Sequence, residues 1–307
     1  MKKWVKKGLI YNVDDRINWA SNSVLTPEPF LLNDETIRVY GSFRDEQGRG
    51  RIGYVDVAAS TPQQVLKVSE KPVLDLGEDG MFDDNGLLLG SVLRVEDKVY
   101  MYYVGFQIPK KAKFIACAGL AISEDGGDTF KRVKKTPIGY RVDNAPFGRC
   151  IHTVIYDKDK GVFRIWYAVI YGWEYLDGTP YPRYNIRYVE SKDGIHFDEE
   201  GTLCLECGEN EYRIGRPKVI IRGENNYEMR YTFDTRDKEY IAGMAYSKDG
   251  IHWERKDEDS GLVKSETGWD SEMACYPVEI ETKYGTYLFY DGNGMGATGF
   301  GYAELEK

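Results

Sequence analysis

Asp84, Glu272 and Glu211 are the carboxylates of this sequence best placed for acid/base chemistry. Each lies in a charged, aromatic stretch: Phe82-Asp83-Asp84-Asn85-Gly86, Trp269-Asp270-Ser271-Glu272-Met273, and Glu211-Tyr212-Arg213-Ile214-Gly215-Arg216-Pro217. Paired carboxylates are what glycosidic cleavage requires. One is protonated and assists the leaving group; the other is ionised and acts as nucleophile or base. Cations share these stretches, because Arg213 and Arg216 follow Glu211 and the peptide Pro146–His152 adds Arg149 and His152. Converging arginines suit a carboxylate or a phosphate. Glu28, Asp83, Asp270 and Tyr276 complete the polar set, expected with Arg149, His152, Arg213 and Arg216 to bind substrate. The competing reading is that acids and arginines pair with each other and only stabilise the fold.

Residues this far apart meet only if the chain returns repeatedly to one place. Three recurring motifs say that it does. Ser247-Lys248-Asp249-Gly250-Ile251-His252-Trp253 is nearly repeated at Ser191–Phe197, with a longer version at Ser123–Phe130. Asp-Gly between strand-like runs marks a hairpin, because Gly takes the positive φ of the tight turn. A strand ending in tyrosine recurs at Tyr40, Tyr103, Tyr167, Tyr231 and Tyr290, at intervals of 63, 64, 64 and 59. A third motif follows each: Ile52-Gly53-Tyr54, Ala118-Gly119-Leu120, Ile186-Arg187-Tyr188, Ala242-Gly243-Met244 and Phe300-Gly301-Tyr302. Five such copies predict an all-β fold, a five-bladed β-propeller of four-stranded antiparallel blades forming one domain over residues 1–307. The last copy lacks a fourth strand, so residues near 3–11 are expected to supply it and close the ring. First strands line the channel of a propeller, and the charged stretches open those strands.

Composition narrows the partners. The chain has 307 residues, a net charge of −9 and a pI near 5.1, which argues against a nucleic-acid footprint. No apolar run reaches the length of a membrane span, and the N-terminus lacks the apolar core and cleavage site of a secretory signal. Five cysteines without framework spacing suit a reducing compartment, so a cytoplasmic location is expected, and the lone Cys204/Cys207 pair lacks the second pair a zinc site needs. Asp125, Asp193 and Asp249 are expected to cap their turns, with His196 and His252 on the rim. The Tyr-, Gly- and Pro-rich insertion at 173–184 reads as a loop bordering a site.

The Ser123–Phe130 peptide resembles the Asp-box of sialidases, a propeller hairpin remote from the site. The five-blade count and acidic strand starts resemble the glycoside hydrolase superfamily of five-bladed propellers: families 43, 32, 68 and 130. The Phe-Asp-Asp-x-Gly, Arg-Pro and Gly-Trp-Asp-Ser-Glu-Met stretches look most similar to glycosidase-like propellers found with polysaccharide-biosynthesis genes. The resemblance implies a carbohydrate-active enzyme taking a sugar, glycan or sugar nucleotide, here an anionic one. Phosphorylase or transferase activity, or glycan binding without catalysis, are the alternatives. In the family 43 pattern, acids come from the first three blades. Glu28 and Asp84 fill two places, but the third blade offers Arg149 and His152 instead of a general acid, so Glu211 or Glu272 would substitute. No cofactor is implied as required; a structural cation near His152 is a further expectation of the resemblance.

Overall fold

The computed structural model describes residues 2–13, 19–198, 200–237 and 240–306. Its strands form antiparallel groups of four. In chain order they are β1 (Trp4–Tyr11), β2 (Ser23–Asn33), β3 (Thr36–Arg44), β4 (Gly50–Ala58) and β5 (Thr61–Val68). Next come β6 (Leu87–Val95), β7 (Lys98–Gln107), β8 (Ile115–Ser123), β9 (Lys131–Arg132), β10 (Gly148–Asp157), β11 (Val162–Leu176), β12 (Thr179–Ser191) and β13 (Thr202–Leu205). The remainder are β14 (Glu211–Gly223), β15 (Asn226–Thr235), β16 (Tyr240–Ser247), β17 (Trp253–Arg255), β18 (Cys275–Glu281), β19 (Thr286–Asp291) and β20 (Phe300–Leu305). β2–β5 and β6–β9 are separate sheets, while one parallel bridge, Tyr184 to Arg213, joins β10–β13 to β14–β17. The fourth strand beside β18–β20 is β1, which pairs antiparallel with β20 from Trp4↔Leu305 to Tyr11↔Phe300.

The chain divides into two compact units. One comprises residues 1–76, 86–89 and 258–307; the other comprises 77–85 and 90–257. The first is filled by Val24, Ile37, Val39, Phe43, Val55 and Phe289, all buried. The second holds one cluster around Ile151, Ile165 and Tyr167, and another around Trp166, Ile214 and Met229. Each such side chain contributes about 1.5–3 kcal/mol by leaving water. Among the described residues no helix is long and apolar enough to cross a membrane.

The recurring tyrosines explain two sequence motifs at once. Tyr40, Tyr103, Tyr167, Tyr231 and Tyr290 are all fully buried. Burial of a phenol requires a partner for its hydroxyl. Tyr103 donates to Asp83 (3.0 Å) and Tyr290 donates to Asp270 (2.9 Å), while Tyr231 donates to Asp257. In the second and fourth copies the third motif carries glycine where a tyrosine ring lies against the next strand. A Cβ on Gly119 would stand 2.4 Å from Tyr103, and one on Gly243 would stand 2.2 Å from Tyr231.

The Asp-Gly hairpins fold as their residue types dictate. Asp249 Oδ1 accepts the N–H groups of Ile251 and His252, both at 2.8 Å, and Oδ2 meets the exposed His252 ring at 2.7 Å. Asp193 repeats this with Ile195 and His196. Burial works to raise both carboxyls, but the histidine, backbone N–H and serine hydrogen bonds outweigh it and hold them well below the ordinary range. A depressed folded-state pKa contributes stability above the unfolded value of about 3.9 and loses it as pH falls. An Asp193→Asn/Asp249→Asn double variant should therefore lose less melting temperature than the parent as pH drops below about 4. Equal slopes in an acid series of thermal melts would remove these turns from the acid response.

The 173–184 insertion is not a loop. β11 and β12 continue through it in register to Leu176↔Thr179, forming a long hairpin arm. Asp177 (φ 51°) and Gly178 (φ 77°) make its tip, the two-residue turn that matches strand twist.

Candidate functional site

Four of the expected site residues are committed elsewhere. Asp83 is fully buried; besides Tyr103 it takes Arg132 Nε at 2.7 Å, and Phe82 stacks on Tyr103. Asp270, 2% exposed, repeats the arrangement with Tyr290, Lys6 Nζ at 2.5 Å and Trp269 stacked on Tyr290. Each joins an aromatic, a repeat tyrosine and a cation from an edge strand of its sheet, so both carboxylates take part in the bonding of the scaffold. Glu211 receives Arg255 at both oxygens (2.9 and 2.7 Å) and the Gly208 N–H at 2.7 Å. Both oxygens of Glu211 are therefore engaged by donors of the fold. Arg149 is engaged by loop backbone and an aromatic ring: its guanidinium donates to the Tyr140 carbonyl at 2.8 Å and lies 4.8 Å from the Phe197 ring centre.

Two of the expected acids, Asp84 and Glu272, make no ion pair among the described residues. Asp84 Oδ2 accepts the Gly80 N–H (2.8 Å) and Oδ1 accepts the Asn85 amide (2.7 Å), fixing it in a tight turn while part-exposed. Glu272 is exposed; Asn293 Oδ1 accepts its N–H at 2.7 Å and that of Met273 at 2.9 Å, so its backbone is held and its side chain left open.

The first strands of four of the groups share a distortion. β2, β14 and β18 shift register at Thr26-Pro27, Arg216-Pro217 and Tyr276-Pro277, and β10 shifts at His152. Thr26 (φ 58°), Arg216 (φ 55°) and Tyr276 (φ 54°) take the left-handed conformation. Such a residue costs about 1–3 kcal/mol and persists where the surroundings over-determine it, typically at functional sites. In the first unit, the Thr26 N–H donates to both oxygens of fully buried Asp291 (3.1 and 3.0 Å), and Glu28 is buried on the same strand.

In the second unit the bulges gather cations. Lys218, two residues beyond Arg216 and 6% exposed, donates from Nζ to the carbonyl of His152 (2.7 Å) and to that of Gly90. Thr153 Oγ1 donates to the Pro217 carbonyl (2.7 Å) and accepts the Val219 N–H (3.2 Å), binding β10 to β14. His152 is buried, and its Nδ1 has no hydrogen-bond partner. Burial, then the charges of Arg216 and Lys218, hold its pKa well below the ordinary imidazole value, so it is neutral at pH 7. A metal beside His152 does not fit these residues. An ammonium already holds its carbonyl, and among the described residues no three His, Cys, Asp or Glu side chains converge.

Arg213 continues the positive face, with Nη2 2.6 Å from Asp234 Oδ2, which also accepts the Tyr212 hydroxyl. Asp234 Oδ1 is buried without a partner. Lys218 and Asp234 were not singled out from sequence. The signal for Lys218 was the residue-Pro dipeptide shared by Thr26-Pro27, Arg216-Pro217 and Tyr276-Pro277; Asp234 carried none.

Solved structures share this fold at low identity. A glycosyl hydrolase from Bacteroides ovatus matches 99% of this chain and 93% of its own, with a TM-score of 0.70 and 14% identity. A thermostable family-43 glycoside hydrolase matches 93% and 88% (TM-score 0.68, 16% identity). A structure from the family-130 mannoside phosphorylases, described as containing glycoside hydrolases that target β-1,2 mannosidic linkages in Candida mannan, matches 99% and 93% (TM-score 0.69, 14% identity). The fold is that of the β-propeller glycosidases. No family model matches the chain. It belongs to the family of Uncharacterized protein Rv1502 of Mycobacterium tuberculosis strain H37Rv, being 31% identical to it over 304 residues, 99% of each chain. Uncharacterized protein MT1551 of strain CDC 1551 is similar to the same extent.

Proposed function

We propose that this protein is a glycosidase-like carbohydrate-active enzyme whose substrate is an anionic sugar, glycan or sugar nucleotide. The observation that carries the anionic preference is the grouping of Arg216 and Lys218 around a buried, neutral His152. Two cations in a poorly solvated place favour an anion more strongly than exposed ones do. Neutral His152 retains an acceptor nitrogen for a sugar hydroxyl or a transferred proton. Asp84 and Glu272 are the carboxylates carried forward for acid/base roles, because neither is tied into an ion pair.

Thermal-shift screening against neutral sugars, sugar 1-phosphates, uronates and nucleotide sugars tests this. Charged compounds should stabilise the protein, and Arg216→Met should abolish the shift. Stabilisation by neutral sugars alone would overturn the anionic assignment. A second reading, binding without turnover, draws on the locking of Asp83, Asp270 and Glu211 in ion pairs. It predicts saturable binding with no product, with or without added phosphate.

A further inference from the structure

A second group of cations lies at the base of the hairpin arm. Lys113, just before β8, places Nζ 4.9 Å from the ring centre of Tyr181 on the arm. Tyr181 meets Tyr212 edge-on, with ring centres 5.6 Å apart. Arg213 Cζ stands 5.4 Å from the Tyr212 ring centre and 5.0 Å from that of Tyr240. Tyr184, paired with Arg213 across the strands, is part-exposed, and its hydroxyl makes no hydrogen bond among the described residues.

Asp234 is the carboxylate beside Arg213, and among the described residues Lys113 makes no ion pair or hydrogen bond. Lys113 is exposed, and partial desolvation followed by the nearby Arg213 charge lowers the pKa of its ammonium, which stands open to an anion from solution. Aromatic faces beside cations are the surface on which a sugar ring stacks while a charged substituent is held.

We propose that Lys113 and Arg213, walled by Tyr181 and Tyr240, form a subsite that selects a sugar bearing a carboxylate or a phosphate. This rests on the anionic-substrate reading but uses residues distinct from His152, Arg216 and Lys218. Because Lys113 makes no hydrogen bond or ion pair among the described residues, Lys113→Met removes the charge without removing a support seen there.

Isothermal titration of the full chain with glucose, glucuronate and glucose 1-phosphate tests the subsite. The two charged probes separate a carboxylate site from a phosphate site. At least one should bind more tightly than glucose, and Lys113→Met should weaken it about tenfold, the worth of one well-placed charge, while sparing glucose. Lys113→Arg should retain most of the affinity, and Tyr181→Ala should weaken all three sugars. If Lys113→Met and Tyr181→Ala bind the charged probe as the parent does while Arg216→Met does not, the subsite is overturned and the anionic reading stands. If the parent prefers neither charged probe to glucose, both fall.

Discussion

Asp83→Ala should lower stability by about 3–5 kcal/mol, whereas Asp84→Asn, one residue along, should leave it within about 0.5 kcal/mol. The difference follows from what each carboxylate touches. Removing Asp83 leaves the Arg132 guanidinium and the Tyr103 hydroxyl without their shared acceptor inside the sheet. Breaking a buried pair costs more than the pair contributes, because the survivor keeps its desolvation penalty. Asp84 lies in a part-exposed turn, and asparagine preserves its acceptor oxygen for the Gly80 N–H. Melting temperature should therefore fall by roughly 6–12 °C in the first variant and barely move in the second. Turnover on a sugar found by the screen should show the reverse at Asp84: lost, with folding intact. Parent-like melting of Asp83→Ala would return that residue to the candidate ligand set.

Lys218→Met is the other substitution with a large expected effect. Its ammonium holds the carbonyls of Gly90 and His152, which lie on β6 and β10, from its own place on β14. Methionine fills similar space but leaves both carbonyls without that donor, at about 1–3 kcal/mol each. Relief from burying a charge offsets part of this, so a net loss of about 2–4 kcal/mol is expected by chemical denaturation. A purely structural role would end there. Lys218 also helps depress the His152 pKa, so the imidazole should titrate at a higher pH in the variant, as followed by NMR of its ring. An unshifted His152 titration would confine Lys218 to strand bridging.

The repeat was legible because hairpin turns and buried tyrosines have local sequence signatures. Asp249-Gly250 and Asp193-Gly194 form the turns their residues require, and the spaced tyrosines sit at matching positions in their sheets. The site was harder to read, for a physical reason that Asp83 and Asp270 illustrate. Both follow an aromatic, and both precede their tyrosine by 20 residues. A carboxylate that keeps step with the repeat belongs to the repeated unit's own bonding. Asp84 and Glu272 break step and make no ion pair among the described residues. The ion pair of Glu211 could not be read because its partner, Arg255, lies 44 residues away and only the fold brings it close. The arm at 173–184 was hidden by its prolines, although Asp177-Gly178 marked its tip.

The pairing of β1 with β20 has a consequence for biosynthesis. Trp4–Tyr11 leaves the ribosome long before Phe300–Leu305, a wait of roughly 15–60 s at ordinary elongation rates. Through that interval an extended segment carrying Trp4, Leu9 and Ile10 has no neighbour to shield it, in the manner of an aggregation-prone edge. Lys2, Lys3, Lys6 and Lys7 give the nascent segment a repulsive charge, so the same lysines that later meet Glu279, Glu306, Asp270 and Glu304 first act as gatekeepers during translation.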